Sequence, residues 1–226
     1  MTDSTNPPGT STLTPIRTDL WQTQTFAPFP GLSTHAYLWT APSGGNILFY
    51  SPGRSDDFDA IDELGGAAHQ YLSHRDEAGP ALARIRERFG ARLHASAAER
   101  DDVREFAEPD VLFTERHVDG NGVEVIPTPG HSPGSTCFLV TGADGLTYLF
   151  TGDTVFRDAE GVWTAGFIPE VSDLDALRAS LESLSALEPD LIVSSARVGH
   201  RSAHLLGATS WASCVDQAIG TLPAAG

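Results

Sequence analysis

Four short apolar runs in this chain each end on residues able to ligate a metal: "YLSHRD" on His74 and Asp76, "VIPTPGHS" on His131, "LFTGDT" on Asp153 and "IVSSARVGH" on His200. Strand ends of this kind converge on one rim when sheets are layered with helices. The rigid scaffold fixes the geometry, and the loops beyond it are free to carry function. The pattern points to a layered α/β fold with one polar site at its edge.

The remaining sequence fits around those runs. "IRTDLWQTQ", "THAYLWTA" and "NILFYS" are rich in β-branched or aromatic residues and bounded by Pro and Gly clusters, which reads as strands. "SDDFDAIDELGG" reads as a short helix with Ser55 as its cap and a Gly stop, followed by the strand "AAHQYLSH" that delivers His74. In "PALARIRERFG", Leu82, Ile85 and Phe89 share one helical face with arginines around them. "ARLHA" is expected to be a strand and "AAERDDVREFAE" a polar helix. "VLFTERHV", "VEVIPT", "STCFLVTG" and "LTYLFTG" form a run of strands, followed by "GVWTAG". The helix "DLDALRASLESLSALEP", with a core-facing stripe at Leu174, Leu177, Leu181 and Leu184, then leads to the strand "DLIVSS" and a tail expected to be helical from His200. Two sheets between helices accommodate this order, and so does an ordinary three-layer α/β fold.

Charge narrows the function classes. Thirty acidic residues against 14 basic ones leave a formal net charge of −16, and every basic residue is an arginine. Nucleic acid is an unfavourable partner, because phosphate backbones need clustered cations. Without lysine, a Schiff-base mechanism is excluded. Two cysteines, Cys137 and Cys214, suggest no disulfide framework and fit a reducing, cytoplasmic setting. The N-terminal segment has neither a basic nor an apolar signal region, and no window approaches a membrane span. A disordered leader over residues 1–15 and a single domain over 16–226 are expected.

At "TPGHSPGS" and "LFTGD" the sequence resembles the metallo-β-lactamase superfamily, over roughly Ala36 to His200. Members carry an H-x-H-x-D-H turn after a strand, a Gly-His loop, an Asp in "FTGD" and a late "GH". The resemblance implies an α/β fold, a four-layer αββα sandwich of two mixed β-sheets flanked by helices. It also implies a metal site at His74, Asp76, His131, Asp153 and His200. Aligned on His74, the second histidine of the turn becomes Asp76, the aspartate becomes Ala78 and the last histidine becomes Gly79. One of the two usual metal positions has thus lost its own Asp and His.

Two imidazoles and two carboxylates at His74, Asp76, His131 and Asp153 suit one divalent ion, Zn or else Fe or Mn, with an open position for water. A second ion, held by Asp153 and His200 with Glu77 swinging in, is expected to be weak or absent. The chemistry that follows is hydrolysis of a small ester, thioester or lactone by metal-activated water. Asp153 would orient the nucleophile, and His200 would steady the substrate or the developing oxyanion. Two other readings stay open. The scaffold has lost catalysis and serves as a binding or regulatory module, or Asp76 marks a non-haem iron redox centre, as in the diiron flavoprotein branch where an acid replaces that histidine. Locally, Asp76 also reads as a helix cap. His69 reads as a packed residue, His94 as a neighbour of the rim, and His204 as a helical surface residue.

Overall fold

A computed structural model describes residues 13–29, 32–42, 44–197 and 202–224. His200 and most of the expected leader lie outside the described residues.

The first half of the chain builds one sheet. β1 (Thr14–Arg17), β2 (Leu20–Gln22), β5 (Tyr37–Trp39), β6 (Ile47–Phe49), β7 (His69–Tyr71), β8 (Arg92–Ser96) and β9 (Val111–Phe113) lie in that order across it. The short β3 (Phe26–Phe29) and β4 (Leu32–Thr34) branch off before β5. Pairing is antiparallel from β1 to β6 and parallel from β6 to β9. The parallel connections pass through α1 (Phe58–Glu63), α2 (Ala81–Phe89) and α3 (Arg100–Val103).

The second half builds the other sheet, ordered β10 (His117–Val118), β11 (Glu124–Pro127), β12 (Thr136–Thr141), β13 (Thr147–Gly152), β16 (Leu191–Ser194) and β18 (Ala203–Leu205). Only β13 and β16 pair in parallel. The hairpin of β14 (Val155–Arg157) and β15 (Trp163–Ala165) precedes α4 (Leu174–Leu184), β17 (Ala196–Arg197) pairs with β4, and α5 (Trp211–Ile219) follows β18.

Period-two alternation decides which side chains meet where. Phe138, Val140, Tyr148, Phe150, Leu191 and Val193 face the first sheet, while Cys137, Leu149 and Ile192 face outward. Between the sheets Phe49 stacks on Phe150 with ring centroids 3.9 Å apart. Outside the second sheet, Leu177, Leu181 and Leu184 of α4 and Trp211, Cys214 and Val215 of α5 bury their apolar stripes. Leu82 of α2 and Val103 of α3 cover Leu93 and Ala95 on the outer face of the first. The result is the four-layer αββα sandwich of two mixed sheets. Full burial of each such side chain contributes roughly 1.5–3 kcal/mol.

Several segments differ from their sequence reading. "VLFTERHV" is two strands, with β9 closing the first sheet and β10 opening the second; the polar Thr114, Glu115 and Arg116 carry the chain between layers. "AAERDDVREFAE" is a 3₁₀ turn (Ala97–Glu99) and a single helical turn, because Glu99 points inward and is 2% exposed. The tail forms β18 before its helix and so covers the edge of β16. Strand pairing begins at Thr14, inside the span read as leader.

Between the sheets lies a polar cluster. His69 Nδ1 and His94 Nε2 are 2.9 Å apart, and the His94 ring stacks on Tyr71. Burial and then the adjacent His69 lower the His94 pKa to about 4, with Asp119 opposing and Arg92 adding to the fall. A histidine held neutral takes up its proton more readily when unfolded. Stability should therefore drop as the pH falls from the ordinary histidine value of roughly 6.5 toward 4. Urea unfolding at pH 7 and pH 4.5 should show this loss, and His94→Gln should shrink it.

Candidate metal centre

His74 follows β7 in extended conformation and opens the 3₁₀ turn Arg75–Glu77. His131 lies in the turn between β11 and β12, and Asp153 immediately follows β13. These three ends, from both sheets, meet at one rim. His74 Nε2 lies 3.6 Å from Asp153 Oδ2 and 3.9 Å from Asp76 Oδ2. His131 Nε2 lies 4.0 Å from the same oxygen of Asp76. The two imidazole rings are 4.8 Å apart and almost perpendicular. Ligand atoms of His74, Asp76 and His131 all fall within 4.8 Å of one another, and Asp153 borders the trio through His74.

The outer ring nitrogens fix the tautomers. His131 donates from Nδ1 to the Gly166 carbonyl at 2.7 Å, leaving Nε2 with its lone pair. The Ser73 hydroxyl gives its proton to Glu77 Oε1 at 2.5 Å, so it can only accept from His74 Nδ1, which lies 2.9 Å away. In its neutral form His74 therefore also presents Nε2 as a lone pair. Both Nε2 atoms are buried, and neither has a hydrogen-bond partner among the described residues. Leaving a buried polar atom unsatisfied costs roughly 1–3 kcal/mol, and a metal ion is the partner that suits this donor set. Burial opposes charging of His74, but Asp153, Glu77 and Asp76 outweigh it and raise its pKa to about 10. The locus favours positive charge, and a metal and a proton compete for the same nitrogen.

Asp153 is held as firmly, whereas the Asp76 side chain is 60% exposed. Asp153 Oδ1 accepts from the Ser195 hydroxyl and, at 3.0 Å, from the Ala196 N–H, which turns Oδ2 toward His74. Glycine is required on two sides. Gly152 has φ +54°, and a Cβ there would stand 2.3 Å from Ser73 Oγ. At Gly166 a Cβ would stand 1.8 Å from the Asp153 carbonyl oxygen. Glu99 ties the two histidine turns together by accepting from the Arg75 N–H at 2.8 Å and the Gly134 N–H at 3.0 Å.

Asp76 caps no helix: the N-cap position of α2 is Pro80, with no side-chain cap, and the Asp76 carboxylate turns to the histidines. Glu77 does not swing inward, because it holds both the N–H and the hydroxyl of Ser73. Ala78 packs against the cluster of Leu72 and Leu82, and at Gly79 an added Cβ meets nothing within 4 Å. His94 is absent from the cavity walls, and His204 lies in β18 rather than on a helix. Sequence reasoning missed Ser73, Glu99 and Ser195. Nothing local marks them, since each acts on a residue that folding brings to it.

A cavity of about 510 Å³ opens over the cluster, walled in part by Phe26, Leu32, Tyr50, Pro52, Arg84 and Ile168. A second cavity of about 520 Å³, along β1 and β18, contains none of the described ligand candidates. Cys137 and Cys214 are free and buried, and no described helix is long and apolar enough to cross a membrane.

A family model described as the metallo-beta-lactamase superfamily matches residues 63–196, more than half of the chain. The chain belongs to the metallo-beta-lactamase superfamily. It is 28% identical over 162 residues to a hydroxyacylglutathione hydrolase from Acidiphilium cryptum, a match that covers 70% of this chain but only 62% of that relative. Its fold is similar to a metallo-beta-lactamase from Pontibacter korlensis, with a TM-score of 0.70 at 16% identity over 92% of this chain and 97% of the other. TTHA1623, solved in a di-iron-bound form, matches with a TM-score of 0.61 at 24% identity, covering 81% and 94% of the two chains.

Removing Glu77 frees the Ser73 hydroxyl to donate to His74 Nδ1, which moves the ring proton to Nε2. Glu77→Ala should weaken metal binding roughly 10–100-fold. Chelator competition, with circular dichroism to confirm folding, measures the change.

Proposed function

We propose that this chain is a metal-dependent hydrolase of a small ester, thioester or lactone, with one dominant divalent ion held by His74, Asp76, His131 and Asp153. The observation that carries this reading is the pair of buried Nε2 lone pairs facing one cavity beside two carboxylates. An ion held there supplies Lewis acidity, bringing the pKa of water to roughly 7 and polarising a carbonyl oxygen. Zinc, iron and manganese all suit two imidazoles and two carboxylates, and the di-iron form of TTHA1623 adds weight to iron. The hydroxyacylglutathione hydrolase is named for an acyl–sulfur substrate, which adds weight to thioesters.

The chain's own groups have separable tasks. Ser195 and the Ala196 N–H hold Asp153 so that its second oxygen can accept a proton from the attacking water. Gly166, Ser73 and Glu77 hold the outer nitrogens of the two imidazoles, so that each ring presents Nε2 to the ion. Phe26, Leu32 and Ile168 limit water around the substrate's apolar part. Ala78 and Gly79 supply no side-chain ligand, so a second ion is weak or absent.

That same loss supports a second reading, a binding module that keeps the metal without turnover. The test loads the purified chain with Zn, Mn or Fe(II) and follows acyl thioesters, aryl esters and lactones. Chelator should abolish hydrolysis, and Asp153→Asn should reduce it by about 100-fold or more. A metal-loaded chain that turns over none of the panel supports the binding module. Oxygen consumption by the iron form instead supports redox chemistry.

A further inference from the structure

We propose that Arg84 selects substrates that carry a carboxylate or similar anion at the end remote from the bond broken. The proposal rests on the hydrolase reading for its reaction and on the cavity alone for its recognition. Arg84 lies on α2 and lines the cavity that contains His74, Asp76 and His131. Most of the described arginines near acidic groups are engaged: Arg17 with Asp144, Arg86 with Asp110, Arg88 with Asp62, and Arg100 with Glu108. Arg84 has no hydrogen-bond or ion-pair partner among the described residues. In a chain with 30 acidic residues and 14 basic ones, a cation at a cavity wall with no acid paired to it is left for an incoming anion.

Two features of the same cavity support this. No side chain caps the N-terminus of α2, and Pro80 and Ala81 of that first turn share the wall with Arg84, so the positive end of the helix adds to its field. Independently, the unpartnered Nε2 atoms of His74 and His131 show that the cavity is built to take a ligand.

The rest of the wall sets what lies between. Phe26, Leu32, Pro52 and Ile168 are apolar, and the Phe26 ring lies so close over Gly53 that a Cβ there would stand 2.0 Å from it. The substrate that fits has its carbonyl at the histidines, an apolar spacer and a carboxylate at Arg84. The net charge of −16 does not forbid this. At physiological salt, exposed charges are screened beyond roughly 8 Å, and Asp76, Glu77 and Asp153 of the same cavity lie beside the divalent ion that would offset them.

Calorimetry on the zinc-loaded chain tests the idea with two hydroxamates of equal length, pentanohydroxamate and 4-carboxybutanohydroxamate. Both anchor on the metal locus and differ only at the far end. The carboxylate compound should bind roughly tenfold tighter. That ratio should fall close to one in Arg84→Gln, survive in part in Arg84→Lys, and stay unchanged in Arg92→Gln, which removes a cation of β8 that does not line the cavity. Equal affinities in the wild type, binding of neither compound, or a ratio that Arg84→Gln retains or Arg92→Gln abolishes would overturn it. Turnover of the matching thioesters separately judges the hydrolase reading. Hydrolysis without a binding preference rejects only the role of Arg84, and a binding preference without hydrolysis rejects only the reaction.

Discussion

The burial of two imidazoles with their Nε2 lone pairs turned toward each other constrains much of this molecule. Each ring is fixed through its other nitrogen, His131 by the Gly166 carbonyl and His74 by a Ser73 hydroxyl whose proton is committed to Glu77. Each arrangement draws on segments distant in sequence. Gly166 follows β15, Ser73 follows β7, and Glu99 joins the two histidine turns from a third segment. The rim is thus a network across both sheets, and its unsatisfied nitrogens are a cost that a bound cation removes.

That network explains why the sandwich must be assembled so closely at this edge. Tyr50, itself in left-handed conformation, accepts the Gly152 N–H and donates to the Val193 carbonyl, bridging β13 and β16 where their register shifts. Asp153 therefore starts from a backbone position set by a buried tyrosine of the opposite sheet. The stacked Phe49 and Phe150 hold the layers together just behind it. Core packing and ligand placement are here the same set of contacts, which is how a sheet scaffold positions polar groups to fractions of an ångström.

Much of this was legible in the sequence. The alternation in "STCFLVTG" and "LTYLFTG" announced strands with one face to each layer, and the leucines of α4 lie buried as their spacing required. His74, His131 and Asp153 end strands in the order the motifs gave, and the structure brings them to one rim. Other features were not legible because they depend on partners distant in sequence. Glu99 looked like a surface acid in a polar helix, yet it reaches 24 residues back and 35 forward to tie two turns. Glu77 looked available as a ligand until Ser73 claimed both of its oxygens. The step from β9 to β10 was hidden because a strand signal carries no information about which sheet receives it.

Metal binding by these residues is the central claim. Its most direct test is metal content per chain, measured by elemental analysis after purification without a metal-affinity column and brief incubation with Zn, Mn or Fe(II). About one ion per wild-type chain, lost in both His74→Ala and His131→Ala while the fold persists, is the predicted result. A folded wild-type chain that retains no ion under any of these conditions would contradict it.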